Sequence, residues 1–173
     1  MLRIEWREPH AIRHTAFPRN RTLHGDTALA SVSTYLNFKR STEEAFNFYK
    51  QVFGTEFSGQ VMRFGDMPPA PGQPALAEAD RKLIMHISLP ILAGHLLMGT
   101  DAPESMGFTL NQGNNVYINL EPDTRDETDR LFNALGEGGT VEMALAEQFW
   151  GDYFGSLTDR FGTRWMFNCS SKT

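Results

Sequence analysis

Apolar residues first fall into a regular pattern at residue 32. From Val32 to Phe38 they alternate loosely, with Thr34, Leu36 and Phe38 on one face, which predicts a strand. Ser41 follows, with Glu44 three residues on. A Ser hydroxyl at that place can accept the third helical N–H while the Glu reaches back, so a capping box is expected to start a helix. Ala45, Phe48, Tyr49, Val52 and Phe53 then recur at i, i+3, i+4, i+7 and i+8 as one apolar stripe. Gly54 stands where a left-handed C-terminal cap would end it. Further strands are expected at about 56–64, 81–89 and 92–99.

The same order returns 82 residues later, since 34 + 82 is 116. That shift carries Thr34, Leu36 and Phe38 onto Val116, Ile118 and Leu120. It carries Ser41 onto Asp123, Glu44 onto Asp126, Phe53 onto Leu135 and Gly54 onto Gly136. Strands at about 140–147, 153–159 and 163–169 complete the second unit. Two copies make a duplicated module, and a solenoid needs more. The predicted fold class is α+β: two tandem βαβββ modules (32–101 and 115–169). The first module alone carries a long loop over 65–80, with four prolines between Pro68 and Pro74, which is either a lid or a mobile connection.

Residues 1–31 lack any such period. They hold five arginines and three histidines against Glu5, Glu8 and Asp26, and are expected to be an N-terminal extension or tail. No apolar stretch follows those arginines, so no secretory signal is expected. A net charge of −5 disfavours a polyanionic partner, so no nucleic acid is expected. The longest apolar run, 89–99, is too short for a membrane span and is broken by Pro90 and His95. Cys169 is the only cysteine, which excludes an internal disulfide and fits the cytoplasm.

Two tandem βαβββ units resemble the vicinal oxygen chelate superfamily of glyoxalases, bleomycin-resistance proteins and ring-cleaving dioxygenases. The local wording is most similar to its PhnB-like branch. Residues 35–38 (YLNF), 44–49 (EAFNFY), Phe53-Gly54 and 62–68 (MRFGDMP) resemble the family's first half. Ile84-Met85-His86 and 107–110 (GFTL) continue it. Phe149-Trp150-Gly151, Phe154-Gly155, 158–162 (TDRFG) and Trp165-Met166 resemble its closing segment. The likeness runs from about 32 to 168. It implies that the modules form a curved, cleft-bearing mixed sheet with helices on its convex side and, because such two-module proteins commonly pair, a homodimer. Metal-dependent relatives place His or Glu at the starts of the two first strands and near the ends of the two last. The matching positions here carry Ser33, Leu97 or Met98, Asn115 and Met166, none an imidazole or carboxylate. A small register shift brings in Tyr35 or Trp165 and still no ligand, so no metal and no cofactor is expected.

Within that frame His86 is the first candidate for ligand binding. Leu83, Met85, Ile87 and Leu89 alternate on one face, which turns His86 and Ser88 the other way. There a neutral imidazole can donate, accept or shuttle a proton; otherwise it is a satisfied core histidine. Tyr117 and Asn119 stand opposite the face of Val116, Ile118 and Leu120, with Tyr35 and Asn37 as counterparts, either orienting a ligand or simply lining the cleft. Trp150, with Phe149 and Tyr153, forms either an aromatic wall or core at the module junction. Arg63 and Asp66 offer a clamp for an anionic group, or a solvated strand end.

The expected function is small-molecule binding that sequesters or senses a ligand. The alternative is a metal-dependent lyase, isomerase or dioxygenase with a remodelled site, joining His86 to Glu104, Glu142 or Glu147. A hydrolase nucleophile elbow (GxSxG) is absent from the sequence. PhnB-like proteins have carried a label as ubiquinone-pathway methyltransferases, but 136–139 (GEGG) is expected to follow a helix, not open one, and so not to be a nucleotide loop.

Overall fold

The computed structural model describes residues 31–68 and 76–170. The expected extension through residue 30 and the proline-rich centre of the long loop lie outside the described residues. The chain runs β1 (Thr34–Phe38), α1 (Thr42–Phe53), β2 (Met62–Arg63), α2 (Glu78–Arg81), β3 (Ile84–Pro90) and β4 (Leu96–Asp101). It continues as β5 (Ile118–Leu120), α3 (Arg125–Gly136), β6 (Thr140–Glu147), β7 (Asp152–Thr158) and β8 (Arg164–Ser170). There are two four-stranded mixed sheets, in the orders β1-β4-β3-β2 and β5-β8-β7-β6. In each, the first and last strands of the module pair in parallel and the other pairs are antiparallel. The second sheet thus repeats the topology of the first.

Each sheet buries one face under its helix. In the first sheet Phe38, Ile84, Ile87, Leu89 and Leu97 meet Ala45, Phe46, Tyr49 and Val52 of α1. Phe46 lies outside the expected stripe yet is fully buried. Its ring rests on Gly99, where an added Cβ would come within 2.4 Å of it. The register pairs Gly99 with Leu36, and the repeat equivalent of that pair is Trp165 with Ile118. At the repeat positions the strand residue is the bulky Trp165 and the helix residue matching Phe46 is the small Thr128, also fully buried. The first module thus has a large helix residue and a small strand residue at these positions and the second the reverse, in keeping with close packing of both cores.

Trp165 also joins the modules, with its ring centroid 5.6 Å from that of Tyr49 and 5.9 Å from that of Phe53. Beneath it lies the buried Asp159. Its Oδ2 accepts from the Tyr49 hydroxyl at 2.7 Å and from Trp165 Nε1 at 2.9 Å. Its Oδ1 accepts from the backbone N–H of Phe161 at 2.9 Å and of Thr163 at 3.0 Å. Gly162, at φ 86°, lets that tight turn close. Burial, then the Asp159 charge, pushes the Tyr49 phenol well above its ordinary range.

Several expectations need correction. The Ser41–Glu44 capping box does not form: the Ser41 side chain makes no cap bond. Asp101 does the work instead, its Oδ1 accepting from Thr42 N at 3.0 Å and Thr42 Oγ1 at 2.8 Å, while Oδ2 takes Ile84 N at 2.8 Å. A carboxylate offers about four acceptor sites on two oxygens where a hydroxyl offers two on one, so it can serve three donors from different directions. The second helix is capped by Thr124, which accepts from Glu127 N, one residue beyond the expected Asp123. Gly54 does end α1 in the left-handed region, but Gly136 is still helical and Gly138 takes the positive φ. The strand expected over 56–64 shrinks to Met62–Arg63, because Gly59 turns with φ 75°.

Candidate ligand-binding site

The helix-free faces of the two sheets carry the candidate residues. Register aligns Tyr35, Met98 and Ser88 in one cross-strand row of the first sheet. A second row holds Asn37 opposite Thr100, and His86 opposite Met62. The period of two breaks at Met85, the extra residue of a bulge between the pairs Met62–His86 and Arg63–Ile84. Ile84 is consequently the buried neighbour and Leu83 and Met85 are only half-buried, contrary to the expected alternation. Beyond the bulge, Ile87 and Leu89 face the helix, and His86 stays on the helix-free side.

His86 Nδ1 lies 3.4 Å from the Tyr35 hydroxyl, with ring centroids 6.0 Å apart. His86 is half-buried and Tyr35 is 46% exposed, so the pair is open rather than core. Partial burial raises the Tyr35 phenol and a hydrogen bond with Thr100 pulls it back. Within the first sheet the pair's neighbours on this face are neutral: Asn37, Ser88, Met98, Thr100 and Met62.

In the second sheet the equivalent rows are Asn119, Met166, Ser156 and Met143, and Arg164 opposite Thr158. Here the surface is ionic. Arg164 Nη1 lies 2.8 Å from Glu142 Oε1 and also donates to the Tyr117 hydroxyl. Tyr117 donates to Glu142 Oε2 and Thr158 to Glu142 Oε1, both at 2.6 Å. The Arg164 guanidinium lies over the Tyr117 ring, 5.2 Å from its centroid. The bond to Glu142, then desolvation, raises the Tyr117 phenol. Hydrogen bonds from Thr158 and Tyr117, assisted by Arg164, hold Glu142 below the usual carboxylate range. Asn119 donates to Glu121 at 3.0 Å. Arg164 was missed in the sequence reading, although its alternation with Trp165, Phe167 and Cys169, which are buried, is a signal that could have found it. Thr158 was not legible, because which β7 residues lie beside it depends on register.

Other candidates lie apart from these rows. Arg63 is turned toward the helix side, donating to both Glu43 oxygens at 2.9 and 2.6 Å and to Lys82 O at 2.6 Å. Asp66 accepts from the Arg63 backbone N–H at 2.7 Å, so no clamp for an external anion forms. Trp150 is 50% exposed and Phe149 97% exposed at the β6–β7 turn, which removes the core reading. Tyr153 does not join them in a wall, since its hydroxyl donates to Asp129 of α3 at 2.8 Å. Trp150 instead meets Phe154 of the helix-free face, centroids 6.0 Å apart. The remodelled cluster of the alternative is not assembled: Glu104 pairs with Lys39, Glu147 with Arg125 and Glu142 with Arg164. Among the described residues no three of His, Cys, Asp and Glu gather as a metal would need.

A family model described as 3-demethylubiquinone-9 3-methyltransferase matches residues 30–167. A solved structure from Bacillus cereus, named a putative 3-demethylubiquinone-9 3-methyltransferase, PhnB protein, is 26% identical and covers 82% of this chain and 100% of its own, with a TM-score of 0.59. The chain belongs to this PhnB-like family. Protein PA1353 from Pseudomonas aeruginosa is 35% identical over 82% of this chain and 98% of its own, with a TM-score of 0.69. The fold is also that of a glyoxalase/bleomycin resistance protein/dioxygenase family enzyme from Burkholderia phytofirmans PsJN, at 20% identity, a TM-score of 0.52, and coverage of 80% and 98%. The PhnB-like chain thus shares its fold with that glyoxalase/bleomycin resistance protein/dioxygenase family enzyme, as its sequence motifs implied.

Proposed function

We propose that this PhnB-like chain binds a small, partly aromatic molecule on the helix-free face of its sheets and sequesters or senses it. The observation that carries this reading is the open Tyr35–His86 pair, set among neutral hydrogen-bonding groups and two methionines. Phenol and imidazole offer a stacking surface and one directional hydrogen bond each, the usual contents of a ligand site. The test is to titrate the full chain with small aromatic probes such as indole and benzamide while backbone amide resonances are followed. Shifts centred on Tyr35 and His86, weakened in His86→Ala, support the reading. Shifts confined to other surfaces sink it.

The positions matched to the superfamily's metal ligands hold hydroxyl, amide, alkyl and thioether groups, which do not fit a divalent transition metal. The proposal therefore includes no resident metal, and elemental analysis finding about one zinc, nickel or iron per chain would overturn that part. It includes no methyl transfer either. The strand-to-helix turns at 39–41 and 121–124 read KRS and EPDT, without the glycines that let a backbone approach a nucleotide.

A cytoplasmic location and a twofold homodimer belong to the same proposal, on the single cysteine and the exposed apolar groups Val116, Val141 and Met143. No helix among the described residues is long and apolar enough to cross a membrane. Light scattering that returned only the 19.5 kDa monomer at micromolar concentration would refute the pairing.

A further inference from the structure

The guanidinium of Arg164 is only partly used. Its Nη1 serves Tyr117 and Glu142, and Nη1 has two hydrogens, so that corner is full. Among the described residues no bond engages Nε or Nη2, although the side chain is only 23% exposed. The free Nε–Nη2 edge carries two parallel donors, the fork that grips a planar carboxylate with two hydrogen bonds. Stacking on Tyr117 and the contact with Glu142 hold the plane still, which lowers the entropy lost on binding.

Position joins this edge to the site described above. Arg164 lines a hollow of about 240 Å³ between the sheets together with Tyr35 and Asn37 of β1 and Val116 and Ile118 beside them. One molecule seated there meets Tyr35 and Asn37 of the first sheet and the cation of the second, and reaches His86 only past Tyr35, its neighbour at 3.4 Å. Charge narrows the ligand further. Glu142 already offsets the charge of Arg164, and the chain carries −5 overall, so a dianion meets about twice the background repulsion that a monoanion meets.

We infer that Arg164 receives a carboxylate, and that the ligand of the helix-free face is an aromatic monocarboxylate whose ring lies toward Tyr35 and His86. This inference rests on the ligand-binding reading above.

The test uses three probes of one shape, namely benzoate, its neutral isostere benzamide and the dianion phenyl phosphate. Each is titrated into the full chain while backbone amides and the arginine Nε–H resonances are followed. Benzoate should bind roughly ten- to a hundredfold more tightly than benzamide, the usual value of hydrogen bonds to a charged group. It should also bind more tightly than phenyl phosphate and should move the Arg164 Nε–H resonance. Arg164→Gln should erase the preference, and Arg164→Lys should keep only part of it, since an ammonium lacks the fork. The comparison in the unaltered chain needs no variant, so a poorly folding Arg164→Gln does not block it. Benzamide binding as tightly as benzoate overturns the inference and leaves the ligand reading standing. Phenyl phosphate matching benzoate overturns the choice of a carboxylate in the same way. Shifts at Arg164 with none at Tyr35 or His86 overturn the ligand reading and this inference with it, as does silence from all three probes at millimolar concentration.

Discussion

The Tyr35 hydroxyl and His86 Nδ1 stand 3.4 Å apart across three strands of the first sheet, on the face that no helix covers. That separation lies beyond the ordinary 2.7–3.2 Å range, so the contact contributes little in the free protein and leaves both groups available.

From this follows an asymmetric effect of His86→Ala. Unfolding free energy should fall by less than about 1 kcal/mol, because no buried partner is stranded. Affinity for an aromatic probe should fall by up to roughly tenfold, one hydrogen bond's worth. Urea denaturation showing a loss well above that figure, with binding intact, would make His86 a core residue.

Asp159→Ala should be far more damaging. Four donors converge on that buried carboxylate, two of them from Tyr49 and Trp165 at the module junction. Stranding them should cost about 3 kcal/mol or more. A chemical-denaturation midpoint close to the unaltered chain would show that water replaces the carboxylate there.

Gly99→Ala tests the exchange of volumes between modules. The new methyl would meet the Phe46 ring at 2.4 Å, and overpacking of that kind costs about 1–3 kcal/mol. Adding Phe46→Leu should restore part of the loss, so the double variant should be more stable than the sum of the singles. Strict additivity in thermal unfolding would mean that the two positions do not share space.

The fourth prediction concerns acid. Glu142 is held below its ordinary value of 4.5 by Thr158, Tyr117 and Arg164. A depressed carboxyl stabilises the fold above its unfolded value and loses that contribution as pH falls through the folded one. The effect therefore lies below pH 4.5, not near neutrality. Stability measured against pH should fall more steeply in the unaltered chain than in Glu142→Gln over that range. Parallel curves would show that the cluster does not persist in solution.

Much of the architecture could be read from local pattern. The stripe from Ala45 to Val52, the turn at Gly54 and the alternation of Trp165, Phe167 and Cys169 each concern residues within a few positions of one another. Periodicity and turn chemistry act on that scale, so the modules, their repeat and the family resemblance were legible. So was the orientation of His86, although the alternation invoked for it was partly wrong at Ile84 and Met85.

What the sequence by itself could not determine was which distant groups would satisfy one another. Asp101 takes over the cap of a helix that begins 59 residues earlier, displacing Ser41. Asp159 gathers Tyr49 from 110 residues away. Arg63 is claimed by Glu43, and Arg164 by Glu142 and Tyr117, so the first leaves the candidate site and the second enters it. Charged and polar side chains find partners through the register of strands and the meeting of modules. A single bulge such as that at Met85 reverses a face without any local sign in composition. The sequence determined the elements and the burial stripe of each; only the tertiary structure decided which of its polar groups were spent on the fold and which remained free to hold a ligand.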